Sequence, residues 1–221
     1  MGDILNKIRS KATVRSFKKR SILLYQGEAP RMAYVLKSGV VKLYTINNAG
    51  EEQIAAFHAK YDIFPSSWIF GKSSTTLYYF EALTDCEVLT LPREELYKVL
   101  VESPELMSST LDYFVTNYTG LMMRVTALEQ SRAREKIMFT LYYLLFRYGR
   151  PTKSGKYVIE LGLTHSIIAS LVGLTRETTT TELSKLKRQK VVDYNLHNYV
   201  VNKQKLERML GEDSFQDIMI K

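Results

Sequence analysis

A single cysteine, Cys86, stands in the 221 residues. No internal disulfide can form, and a zinc or iron–sulfur site built on several thiolates is excluded. The three histidines, His58, His165 and His197, lie far apart, and neither H-x-H nor E-x-x-x-H occurs in the first hundred residues. Metal chemistry therefore has little to work with, and no metal site is expected. Long apolar runs are also missing, and none approaches the roughly 20 residues of a membrane span. The N-terminal stretch MGDILNKIRSKATVRSFKK carries charge throughout, where a secretion signal would be apolar. These absences point to a cytoplasmic protein with no membrane partner. Low complexity is absent too: 45% apolar and 24% charged residues are ordinary for a globular chain, long enough for two small cores.

The net charge is +8, and it is unevenly placed. Residues 1–131 hold fifteen Lys and Arg against fourteen Asp and Glu, whereas residues 132–221 hold sixteen against nine. A near-neutral half joined to a basic half suits a sensor joined to a module that binds a polyanion. The first hundred residues read as short strands. ILLYQGEA, AYVLKSG, VVKLYTI, EEQIAAF, TLYYFEAL and CEVLTL are rich in β-branched and aromatic residues, with Gly27, Gly39 and Gly50 between them. NNAGEE has the composition of a hairpin turn. The expected fold class is α+β, opening on an antiparallel β-roll of the cupin-like jelly-roll kind.

Strand signals then stop, and Pro92 and Pro104 sit where helices begin. From there Met107, Leu111, Phe114, Tyr118, Leu121, Val125 and Leu128 recur at steps of 4, 3, 4, 3, 4 and 3. That heptad spacing predicts the seam of a two-helix coiled coil, hence a homodimer; a helix packed on its own sheet would also need an apolar stripe. Ser131 is the expected N-cap of the next helix, RAREKIMFTLYYLLFRYG, with a hinge at residues 129–131 where the charge balance changes. The organisation expected is a roll over residues 1–105, a dimerisation helix and hinge over 106–130, and a basic domain over 131–221.

After a short strand, KYVIELGL, comes LTHSIIASLVGLTRETTTTELSKLKRQKVV. Thr164 caps one predicted helix, with Ile167, Ile168 and Leu171 turned inward, and Thr175 caps a second, with Leu183 and Leu186 packing back. Ala169 allows close helix approach and Gly173 a sharp turn. This is the layout of a helix-turn-helix whose second helix enters the major groove of duplex DNA. At 100° per residue Arg176, Glu177, Thr180, Thr181 and Ser184 share one face of it. Arg176 suits guanine O6 and N7, Glu177 a cytosine amino group, and Thr180 and Thr181 a hydroxyl or methyl contact. Thr175, Thr178 and the N–H groups of Thr164, His165 and Ser166 suit phosphates; Lys185, Lys187, Arg188 and Lys190 extend the positive surface. Thr179 falls on the inward side. DYNLHNYVV reads as a two-stranded wing.

With those residues in view, the chain resembles the family of the cyclic-AMP receptor protein and the fumarate–nitrate regulator, the Crp/Fnr family. The resemblance spans nearly the whole chain and is most specific over Val172–Val192, VGLTRETTTTELSKLKRQKVV, similar to the family's V-G-x-[ST]-R-E-T…L…L signature. It implies a β-roll sensor, a dimer helix and a winged helix-turn-helix, working as a transcription regulator on a palindromic operator. Arg176 and Glu177 match the family's base-reading Arg and Glu, and Thr181 stands where a second base-reading Arg is usual. That departure implies a different or looser operator. An activator would also touch RNA polymerase, for which the chain shows no recognisable motif.

The resemblance implies less about the effector. Nucleotide-binding members carry a Gly-Glu and an Arg-Ser in a phosphate cassette, and the comparable stretch Asp62–Leu83 has neither and no arginine. Lys72 is its only cation and lacks the bidentate fork of an arginine. Cyclic AMP is not expected as effector, nor is an iron–sulfur cluster, and haem would rest on His58 alone. Ser66, Ser67, Trp68, Lys72, Tyr78 and Tyr118 are the candidate lining for a small metabolite, unless the aromatics fill the pocket themselves. Two other readings stay open: a cupin-like metal enzyme with a helical oligomerisation tail, and a basic module gripping RNA or a membrane surface.

Overall fold

A computed structural model describes residues 3–195 and 198–211 and divides into two units, Met1–Phe114 and Val115–Lys221. The first holds α1 (Ile4–Ile8), β1 (Thr13–Phe17), β2 (Ile22–Leu24), β3 (Ala33–Ser38), β4 (Val41–Ile46), β5 (Glu52–His58), β6 (Ile63–Phe64), α2 (Ser66–Ile69), β7 (Tyr79–Ala82), β8 (Cys86–Leu91), α3 (Arg93–Val101) and the start of α4 (Pro104–Glu129). Its strands form two antiparallel four-stranded sheets, ordered β1-β8-β3-β6 and β2-β7-β4-β5. This is the expected β-roll. All six predicted strand segments contain a strand, although ILLYQGEA and TLYYFEAL are longer than β2 and β7.

Alternation explains why β3 is apolar on both sides. Tyr34 and Leu36 point between the sheets with Val41, Leu43, Phe64, Phe80 and Val88. Ala33 and Val35 point the other way, onto Ile4 and Ile8 of α1, Leu96 and Leu100 of α3 and Leu106 of α4. The first sheet is thus covered on both faces, and α4 is anchored to it through Leu106. Between the sheets the rings of Tyr34, His58, Phe64 and Phe80 stack with centroids 5.0–6.0 Å apart. His58 is held in this stack by Asp62, 3.3 Å from its Nδ1.

Two turns show how local chemistry sets the register. In NNAGEE the Asn47 carboxamide oxygen accepts the N–H groups of Ala49 and Glu51, and Gly50 supplies the positive φ. At Gly39, φ is +91° and an added Cβ would lie 2.4 Å from the carbonyl oxygen of Asp85, so only glycine fits where the β3–β4 turn meets the loop before β8.

The second unit takes the rest of α4, then α5 (Ala133–Tyr148), β9 (Gly149–Pro151), β10 (Tyr157–Ile159), α6 (His165–Val172), α7 (Arg176–Arg188), β11 (Val192–Tyr194), β12 (Tyr199–Val201) and α8 (Lys203–Leu210). The sheet order is β11-β12-β10-β9. Helix α5 is its centre, buried without interruption from Ile137 to Leu145. The break after α4 falls at residues 130–132, but Ser131 is not the cap. Arg132 holds the N-cap position and its side chain makes no capping hydrogen bond, so burial of α5 rather than a local cap sets where the helix begins. Gly149–Pro151, directly after α5, is a short strand paired with β10. The wing pairs Val192 with Val201 and Tyr194 with Tyr199. Leu196 and His197, within the predicted wing segment, lie outside the described residues.

Candidate nucleic-acid interface

Both helices of the motif are capped as their sequence dictates. Thr164 accepts the N–H of Ile167 at 3.2 Å, and Thr175 accepts that of Thr178 at 3.2 Å. Gly173 takes the left-handed conformation at φ +69° and ends α6. Ile168, Leu171 and Val172 of α6 and Thr179, Leu183 and Leu186 of α7 are buried, whereas Ile167 stays half-exposed. The first turns of α7 therefore project outward.

On that outward face Arg176, Glu177 and Thr181 are exposed side by side, while Thr180 and Ser184 are half-buried. The Thr180 hydroxyl is held by His165, whose Nδ1 lies 3.0 Å away. The phosphate candidates Thr164, Ser166 and Thr175 are exposed, His165 and Thr178 half-buried, and the Thr175 hydroxyl donates to that of Thr178 at 2.9 Å. Lys185 pairs with Glu182, and Lys187 pairs with Asp193 at 2.8 Å while lying over the Tyr194 ring. Part of the charge of both lysines is offset by these surface ion pairs, and Lys187 ties α7 to the wing. Neither the His165 side chain nor the Asp193–Lys187 tie is legible in the sequence, because each joins residues that local spacing does not connect.

The Thr179 hydroxyl is fully buried and has no hydrogen-bond partner among the described residues. Thr179→Val removes that desolvated oxygen and keeps the shape. We expect a gain of about 1 kcal/mol, a rise of several degrees in the melting temperature of the second unit, and unchanged operator affinity. A thermal melt beside a DNA titration checks both.

Along α4 the seam residues Leu111, Tyr118, Leu121, Val125 and Leu128 are exposed, from 40% to 65%, and Met107 is 38% exposed. Phe114 is different: it packs on the core of the roll, edge-on to Phe70 at 5.2 Å. Val115 and Met122, exposed and not picked out by the heptad reading, widen the stripe. Their signal is present in the sequence, since Leu111, Val115, Tyr118, Met122 and Val125 repeat the same 4–3 spacing.

Beside the start of α4 an apolar hollow of about 510 Å³ is bordered by Ser66, Ser67, Phe70 and Lys72 and by Met107, Thr110, Leu111 and Phe114. Of the residues expected to line an effector pocket, Ser66, Ser67 and Lys72 border it. Trp68 packs into the core instead, with the Arg93 guanidinium over its ring, and Tyr118 lies further along α4. Tyr78 packs against the space between the sheets. Among the described residues no group of three His, Cys, Asp or Glu side chains could hold a metal, and no helix is long and apolar enough to cross a membrane.

Known proteins share this architecture. A cyclic nucleotide-binding domain model matches residues 14–103, and a Crp-like helix-turn-helix domain model matches residues 135–209. A roll of the first kind on one chain with a helix-turn-helix of the second defines a class, the DNA-binding transcription regulators. The global nitrogen regulator of Nostoc sp. is 28% identical over 191 residues, covering 86% of this chain and 85% of that protein. The HTH-type transcriptional regulator ArcR of Staphylococcus haemolyticus is 29% identical over 201 residues, covering 90% and 87%. In fold, a CooA mutant from Carboxydothermus hydrogenoformans superposes with a TM-score of 0.76 at 21% identity, over 95% of this chain and 94% of that one. The chain belongs to the Crp/Fnr family of transcription regulators. The enzyme reading finds no support in these relatives.

Proposed function

We propose that the chain regulates transcription in the cytoplasm as a homodimer. In this reading the α4 stripes of two copies pack together and the two α7 helices read a palindromic operator. One observation carries the reading: Arg176, Glu177 and Thr181 stand exposed on the first turns of α7, while Thr179, Leu183 and Leu186 fill its other side. Arg176 and Glu177 are the main base readers, Thr181 and Thr180 add contacts, and Thr164, His165, Ser166, Thr175, Thr178 and Lys185 meet phosphates. No catalytic role and no metal is assigned.

Cyclic AMP is not the controlling ligand in this reading. The Asp62–Leu83 stretch lacks an arginine, and the aromatic stack occupies the space between the sheets. A smaller effector bordered by Ser66, Ser67 and Lys72 would touch Met107 and Leu111, two residues of the stripe. That contact offers a short route from ligand to dimer geometry.

Selection of duplexes from a random pool, followed by titration against salt, tests the reading. The expected product is a two-fold symmetric site with half-sites one helical turn apart, bound far more tightly than random duplex, and with affinity unchanged by cyclic AMP. Binding no tighter to the selected site than to random duplex at moderate salt would refute it.

A further inference from the structure

The imidazole of His165 is placed to do more than meet a phosphate. It stands in the first turn of α6, and its Nδ1 lies 3.0 Å from Oγ1 of Thr180, fifteen residues further on in α7. Tyr194 of β11 closes on the ring edge-on, with centroids 4.9 Å apart. Three elements thus fix one imidazole against the hydroxyl of a residue on the outward side of α7.

A threonine hydroxyl has one proton and two lone pairs. A neighbour that takes the proton leaves the oxygen as an acceptor toward anything beyond it. A neighbour that gives a proton frees the hydroxyl to donate. Imidazole changes between these two roles near neutral pH. We propose that His165 sets the hydrogen-bonding polarity of Thr180 and through it the base preferred at one operator position. With His165 neutral and protonated on Nε2, Nδ1 accepts the Thr180 proton, and Thr180 receives an amino group from adenine or cytosine. With His165 protonated, Nδ1 donates, and Thr180 gives its own proton to guanine or thymine. His165 is therefore a positioning residue for specificity. The inference rests on the reading of Thr180 as a base contact.

The surroundings favour the neutral form. Burial first, and the Arg176 charge on α7 second, hold the His165 pKa below its ordinary value. From β11 the ring faces Tyr194, which stacks on Tyr199 and carries Lys187 4.6 Å from its centroid, with Lys187 paired to Asp193. Thr164 and Ser166, its neighbours in the chain, add no charge. The change of polarity accordingly belongs on the acid side of neutrality, and a DNA phosphate nearby would draw it back toward neutral pH.

The experiment uses the full chain and its selected operator, with every base pair tried at each position, at about pH 8 and about pH 5.5. It compares wild type, His165→Gln and Thr180→Val. In wild type, lowering the pH should move the preference at the position flattened by Thr180→Val from adenine or cytosine toward guanine or thymine. The shift expected is about three- to ten-fold, the worth of one hydrogen bond. His165→Gln should show the same preference at both pH values. The other operator positions control for acid effects elsewhere. A wild-type preference that ignores pH, with Thr180→Val still flattening the position, would overturn the role of His165 and leave the Thr180 contact standing. If Thr180→Val changes no position, the contact itself is wrong and the inference falls with it.

Discussion

Leu121→Glu is expected to leave the chain folded, turn it into a monomer, and lower its affinity for a palindromic operator by about 10²–10⁴-fold. The side chain is 56% exposed on α4, so a carboxylate there costs the single chain little. In a parallel two-helix seam the same residue meets its own copy across the two-fold axis, and two carboxylates then repel in a desolvated contact. Losing the dimer removes the second half-site as an intramolecular event, which is where the affinity factor comes from. Sedimentation equilibrium and circular dichroism separate dissociation from unfolding. A complementary Leu121→Lys chain provides the rescue: mixed in equal amounts, the two variants should recover both the dimer and operator affinity. A Leu121→Glu protein that remains dimeric would move the interface away from the α4 stripe.

The stripe also shows where sequence reasoning succeeds and where it stops. A 4–3 spacing says which residues share a side of α4, but not which neighbour covers each one. Phe114 fits the spacing as well as Leu121 does, yet Phe70 and the core beneath the first sheet receive it. Elements whose signals are local were legible. The Thr164 and Thr175 caps, the Gly173 turn and the Asn47–Gly50 turn each depend on a few consecutive residues. Elements that exist only through distant partners were not. The five residues of α1 are too short to be a stable helix alone and are held by burying Ile4 and Ile8. The three residues of β9 carry no alternation to detect and pair only because β10 lies beside them.

The same division runs through the site. That Arg176, Glu177 and Thr181 point outward followed from helical periodicity once Leu183 and Leu186 were placed inside. The state of their neighbours did not follow. Thr180 is half-buried because His165 reaches it across the motif, and Lys187 turns toward Asp193 and Tyr194 because the wing folds back beside α7. A count of lysines along α7 therefore overstates the charge free to meet phosphates.

Arg176→Ala should accordingly abolish discrimination at one position of each half-site and weaken operator binding. A bidentate arginine–guanine contact is worth about 1–3 kcal/mol, and a two-fold operator holds two, so the expected loss is about 2–6 kcal/mol, or roughly 30-fold to above 10⁴-fold in affinity. The fold should not suffer: Arg176 is exposed, and the cap of α7 is Thr175. Arg176→Lys should recover only part of the loss, because a lysine keeps the charge but not the fork that grips O6 and N7 together. The pattern across bases distinguishes this role from a phosphate contact. If Arg176 reads a base, the alanine variant becomes indifferent at one position of each half-site and keeps its preferences elsewhere. If it only neutralises backbone charge, affinity falls evenly across all sequences and the salt slope shrinks by about one for each phosphate no longer neutralised. Titrating the variant against single-substitution operators at two salt concentrations decides between them, and uniform weakening would transfer base reading from Arg176 to its neighbours on α7.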